Sequence, residues 1–151
     1  MHVTLAHIGA TGAVNDRYDS LVQEYLKRCA GFMTCETEAF RNEDAFFRWL
    51  DKLRGRTPVV VQLLDGRGRQ ITSEGLAEWL GRHRDGGAQR IVFAVGPADG
   101  WSNEARAGVK SRGGLLSLGP MTLVHPLARL VMAEQIYRAF TILTGHPYHR
   151  R

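Results

Sequence analysis

The feature that most restricts the fold of this chain is an alternation. Short apolar runs recur between stretches whose apolar residues follow helical spacing. Val3–Ile8, PVVVQLL at Pro58–Leu64, RIVFAV at Arg90–Val95 and Leu115–Leu118 have the length and composition of buried strands. Phe32–Phe40 alternates apolar and polar residues, as a strand with one exposed face does. Asn15 or Asp16 can cap a helix that carries Tyr18, Leu21, Val22, Tyr25 and Leu26 on one face and ends near Gly31. Asn42–Leu53 is helical in spacing. Ser73 caps a third helix, with Leu76, Trp79 and Leu80 inward and Gly86-Gly87 at its end. Ser102 caps a fourth, which Gly113-Gly114 separates from the last strand, and a long fifth helix begins near Leu127. Strands alternating with helices predict an α/β fold: one domain, a mostly parallel sheet, helices on both faces. A chain of 151 residues is long enough to bury such a core.

In sheets of this kind, ligands bind beyond the carboxyl ends of the strands. Three loops qualify: Asp65-Gly66-Arg67-Gly68-Arg69, read as a turn after Leu64; Gly96–Gly100; and Gly119–Val124. They follow three strands and are expected to converge. The third is apolar where loops are normally polar, with Met121, Leu123 and Val124 between Pro120 and Pro126. Such a loop either packs on the core or lines a pocket for a flat, partly apolar ligand.

The last helix is apolar nearly all round, through Leu127, Leu130, Val131, Met132, Ile136, Tyr137, Phe140, Ile142 and Leu143. A helix of that kind must be buried. One face can cover the sheet, leaving the other to meet a second copy of the chain. Arg129, Glu134, Gln135 and Arg138 interrupt it; Glu134 and Arg138 have the spacing of an ordinary helical ion pair.

The net charge of +5 permits binding to a polyanion such as RNA. No apolar run is long enough to cross a bilayer. MHVTLAHIGATG lacks the basic flank of a signal peptide, so a cytoplasmic location is expected. Cys29 and Cys35 fit no metal or redox spacing, and His146 with His149 lacks the further ligands that zinc needs, so no metal is expected. Gly66-Arg67-Gly68 follows a strand, but Ile71 stands where a dinucleotide fingerprint has its third glycine. Turn geometry explains those glycines more simply.

The segment His125–Arg150, with HPLARLVMAEQIYRA and the closing HPYHR, resembles the SPOUT-class large-subunit rRNA pseudouridine N3-methyltransferases (the ribosomal large subunit methyltransferase H family). The HPYHR ending is specific. The likeness extends over the whole chain, more weakly in the first half. The resemblance implies a SPOUT-type α/β knot, whereas periodicity alone describes an unknotted sheet, knots being nearly absent from proteins. It implies S-adenosylmethionine as cofactor, a homodimer, and 23S rRNA in the assembled ribosome as substrate. Its glycine loop falls on Gly96–Gly100, with Pro97 where the family has a second glycine. Its adenine loop falls on Leu118, Gly119, Pro120, Met121, Thr122 and Leu123. Its leucine near the end of the third strand falls on Gln62 or Leu63. Val124 replaces the proline usual before its His-Pro pair.

Methyl transfer to N3 of a pseudouridine requires donor and acceptor to be held in line, and N3 carries a proton. The resemblance makes Arg138, His149, Tyr148 and Glu134 the catalytic candidates, with Arg138 suited to stabilising an imide anion. His125, Arg129 and Arg150 are candidate RNA contacts, although His125 at the helix start can equally be a cap. The terminal Tyr148–Arg150 is expected to close over a partner subunit's site, with Tyr148 available to stack on a base. The competing expectation is a non-enzymatic basic RNA- or ribosome-binding α/β module.

Overall fold

The computed structural model describes residues 1–9, 17–53, 55 and 57–150. Among these, five strands form one sheet: β1 (His2–Ile8), β2 (Thr34–Phe40), β3 (Val60–Gln70), β4 (Arg90–Val95) and β5 (Gly113–Ser117). The order is β2-β1-β4-β3-β5, and every pairing is parallel. The helices are α1 (Arg17–Cys29), α2 (Glu43–Lys52), α3 (Ser73–Asp85), α4 (Asn103–Gly108) and α5 (His125–Thr144).

Strand period decides which residues face which layer. Val3, Leu5, Ile91 and Phe93 point to a layer made by α1, α3 and α5, where they meet Val22, Leu26, Leu80, Met132, Ile136 and Phe140. Ala6, Ile8, Val61, Leu63, Val92 and Ala94 point the other way, onto Phe46 and Leu50 of α2 and Trp101, Ala105 and Val109 at α4. The expected α/β architecture, with helices on both faces, is therefore present.

Local expectations differ in instructive places. Asp65–Arg69 is not a free turn. β3 runs on to Gln70, and both Leu64 and Arg69 align with Leu116, so Asp65–Gly68 bulges out of a continuing strand. Gly68 makes this possible: a Cβ there would stand 2.5 Å from the Leu115 carbonyl carbon, a distance only bare backbone tolerates. Gly113 and Gly114 open β5 rather than precede it, and a Cβ on Gly113 would meet the Val61 carbonyl oxygen at 1.9 Å. Thr72, not Ser73, caps α3, its Oγ1 accepting from Gly75 N–H at 3.0 Å. Ser73 instead donates to Gln135 Oε1 at 2.6 Å. Tyr18 and Leu21 are exposed, so Val22 and Leu26 carry the inner face of α1. The cap expected at Asn15 or Asp16 lies outside the described residues. α5 begins at His125 with Val124 as its N-cap and no capping side chain, which removes the helix-cap reading of His125.

Candidate active site

β4, β3 and β5 are neighbours in the sheet, and the bulge of β3 meets the loops that leave the carboxyl ends of β4 and β5 at one edge. They enclose a cavity of about 460 Å³, lined by Leu64–Arg67 at the bulge of β3, Val95–Trp101 from the end of β4 onward, Leu118–Leu123 after β5, and Arg106, His125 and Ala128. That volume lies within the range of pockets for small ligands, roughly 300–1,000 Å³. Gly96, Leu118, Gly119, Pro120, Met121, Thr122 and Leu123 all line it, as expected of a shared site. Leu63 does not: it is fully buried in the layer under α2, and Leu64 is the residue that faces the cavity. Gln62 is also buried and outside the lining.

Two contacts brace the loops. Trp101 donates its indole N–H to the Leu64 carbonyl at 3.1 Å, tying the loop after β4 to the start of the bulge in β3. Arg106 binds the Trp101 carbonyl and lies 3.4 Å from Asp65. Gly96 belongs to this brace, because a Cβ on it would come within 2.8 Å of the Trp101 indole nitrogen. No sequence motif singles out Trp101, Asp65 and Arg106 as site residues. Their pairing depends on contacts across 37 and 41 positions, which no local motif announces.

The loop after β5 is shaped by Gly119, whose φ of +129° disfavours side chains, and by Ser117, whose Oγ bonds the Gly119 N–H and carbonyl. Among the described residues, the N–H groups of Met121, Thr122 and Leu123 donate to no protein acceptor. Met121 is 81% exposed. An apolar side chain beside unspent backbone donors suits the face and edge of a heteroaromatic ring. Pro97 has no N–H to offer, and its carbonyl accepts from Gly100 N–H at 2.8 Å.

The four catalytic candidates form a second cluster. Glu134 Oε1 accepts from Arg138 Nη2 at 2.6 Å, Arg138 Nε at 3.0 Å and the Tyr148 hydroxyl at 2.9 Å. Gln135 donates to Glu134 Oε2 at 2.8 Å. His149 bridges Arg138 Nη1 at 3.0 Å and Glu74 Oε1 at 2.9 Å. The Arg138 guanidinium sits over the Tyr148 ring, 4.9 Å from its centroid. Tyr148 packs edge-on against Tyr137 at 4.7 Å. The tail is thus docked on α5 of its own chain.

The electrostatics divide the roles. The hydrogen bond that Arg138 donates to Glu134 holds the Arg138 pKa above its ordinary value, so the guanidinium keeps its charge. Burial, then the bond to Glu134, pushes the Tyr148 phenol up as well. Tyr148 therefore holds its proton at neutral pH and is no general base. The cluster presents a fixed cation, backed by a carboxylate.

Cavity and cluster stand at different levels of α5. At about 1.5 Å of rise per residue, Ala128 in the lining and Arg138 are roughly 15 Å apart along the axis. Of the candidate RNA contacts, His125 lines the cavity and Arg150 is exposed. Arg129 is buried, 5% exposed, with Nη2 3.2 Å from Asp19 and Nε without a partner. Among the described residues no group of His, Cys, Asp and Glu is placed to hold a metal ion, and no helix is long and apolar enough to cross a membrane.

Known proteins resemble this chain in sequence and in fold. The family model described as "Predicted SPOUT methyltransferase" matches residues 1–149. A Koribacter versatilis protein named "Ribosomal RNA large subunit methyltransferase H" is 49% identical over 130 residues, 86% of each chain. One of the same name from Rhizorhabdus wittichii is 38% identical over 152 residues, covering 97% of this chain and 98% of that protein. In fold, the chain resembles the ribosomal RNA small subunit methyltransferase E of Neisseria gonorrhoeae bound to S-adenosyl methionine, with a TM-score of 0.55 and 18% identity, over 95% of this chain and 66% of that one. A model match over nearly the whole chain, and close relatives that it covers almost end to end, place this protein in the SPOUT methyltransferase family.

Proposed function

We propose that the chain is an S-adenosylmethionine-dependent methyltransferase of large-subunit rRNA, that its acceptor is N3 of a pseudouridine in 23S rRNA of the assembled ribosome, and that it works as a cytoplasmic homodimer. The observation that carries this reading is the convergence of the β3 bulge and the loops after β4 and β5 on one cavity in a chain of this family. The relatives' name supplies the RNA.

The cavity's chemistry fits the cofactor. Met121–Leu123 offer backbone donors and apolar contact to an adenine. Asp65 and Asp99 bring carboxylates to a lining that would face a cationic donor. When bound, S-adenosylmethionine supplies an electrophilic methyl group. The protein's part is to hold the acceptor in line with it, an effect that can contribute roughly 7–11 kcal/mol. Arg138 then offsets the negative charge that develops on the imide as its proton leaves.

The distance along α5 supports the dimer. One subunit does not bring Arg138 to its own cavity, whereas a second copy packed on α5 can lend its cluster. The apolar flank needed for that is present: Leu127, Leu130, Val131, Ile142 and Leu143 are only half-buried, and Val124 is 62% exposed. The knotted path of the family's C-terminal region is part of the same proposal, and the close passage of Gly68 and Gly113 against neighbouring backbone is consistent with it.

The test is mass spectrometry of large-subunit rRNA from a strain lacking this protein. Loss of one N3-methylpseudouridine, restored by the gene, is expected. An unchanged modification profile would refute the proposal. The non-enzymatic module predicts that unchanged profile, and leaves the cavity without a purpose.

A further inference from the structure

The bulge in β3 has a feature that cofactor binding does not require. Two arginines leave it towards solvent, Arg67 on the cavity rim and Arg69 two residues on. Bulges re-aim side chains, and this one is held firmly. Asp65 Oδ1 accepts the Arg67 backbone N–H at 2.9 Å. Gly68 is pressed against β5, so the loop has little freedom to turn away. The side chains of Arg67 and Arg69 make no hydrogen bond or ion pair among the described residues. The third arginine here, Arg106, is committed to Asp65, Asn103 and the Trp101 carbonyl. Arg106 is a strut, whereas Arg67 and Arg69 are unspent.

Resting on the methyltransferase reading, we infer that Arg67, seconded by Arg69, is a phosphate-binding site for the RNA strand that carries the acceptor base. A base that reaches the cavity mouth brings its flanking phosphodiesters to the rim. A guanidinium offers a planar fork of donors that matches phosphate oxygens, and contacts of this kind fix register without reading sequence. The bulge thereby couples two tasks: Leu64–Gly66 line the inner wall of the cofactor cavity, and Arg67 at its rim, with Arg69 just beyond, holds the substrate backbone.

The alternative use for Arg67 is to grip the carboxylate of the cofactor's methionine moiety, and one experiment separates the two. Ribosome binding by the wild type, Arg67→Gln, Arg69→Gln and the double variant is measured from low to high KCl, using ribosomes from a strain lacking this protein. S-adenosylmethionine affinity is measured on the same proteins by calorimetry. The expected result is a log Kd against log salt that is flatter by about 0.7–0.9 for each arginine removed, with cofactor affinity unchanged. Arg67→Glu should weaken ribosome binding further. A fall in cofactor affinity in Arg67→Gln would overturn the inference, as would an unaltered salt slope. Failure of the wild type itself to bind the cofactor or to methylate would count against the proposed function instead, and the salt slopes would still report on the arginines.

Discussion

Tyr148 and Glu134 are joined by a 2.9 Å hydrogen bond that spans fourteen positions and fastens the end of the chain to the middle of α5. The same carboxylate oxygen receives two bonds from Arg138. Glu134 is therefore the anchor for both the tail and the cation.

Replacing Glu134 with Gln tests the anchor. The charge-assisted bonds to Arg138 and Tyr148 weaken, at a cost of roughly 1–3 kcal/mol. The melting temperature should fall by several degrees and methylation should fall sharply, while S-adenosylmethionine binds as before. Full activity in the variant would show that Glu134 is not needed to hold the cation and the tail in place.

Deleting His149–Arg151 leaves Tyr148 packed on Tyr137, so the fold and the dimer should survive. Methylation should be abolished. Single-turnover assays with saturating cofactor check this, and retained activity would refute a role for the tail.

Gly96→Ala places a methyl group against the Trp101 indole, with nearest atoms 2.8–3.0 Å from the new carbon. Overpacking of this kind costs about 1–3 kcal/mol. Because Trp101 braces the loop to Leu64, cofactor affinity should drop along with stability. Calorimetry and tryptophan fluorescence follow the two effects together.

The Tyr148 phenol gives a pH signature. Its folded-state pKa is raised above the ordinary value of 10.0, so the proton binds more tightly in the folded protein. The resulting stabilisation is fully present below pH 10 and is lost as pH rises beyond it towards the folded value. Denaturant titrations should show the wild type losing stability faster than Tyr148→Phe above pH 10, with no difference in slope from pH 7 to 9.

Much of this organisation was legible in the residues. RIVFAV and PVVVQLL declare buried strands because parallel strands are apolar on both faces. The apolar loop Gly119–Val124 declares either core packing or a pocket, and the structure puts Leu118–Leu123 on a cavity. What was hidden depends on contacts distant in sequence. Asp65–Gly68 reads as a turn locally, and only the approach of β5 makes it a bulge in one strand. Gly96 reads as a turn glycine, whereas the indole of Trp101 is what excludes a side chain there. Leu63 and Leu64 are indistinguishable by composition, and the pleat alone sends Leu63 to the core and Leu64 to the cavity. Arg129 looks like a free cation, yet α1 folds over it and brings Asp19 to its guanidinium.

Isothermal titration of the purified protein with S-adenosylmethionine asks whether the β3 bulge and the loops after β4 and β5 build a methyl-donor site. Saturable binding in the micromolar range is expected, weakened by Gly96→Ala and unaffected by removal of the last three residues. A flat titration of the folded protein would contradict it.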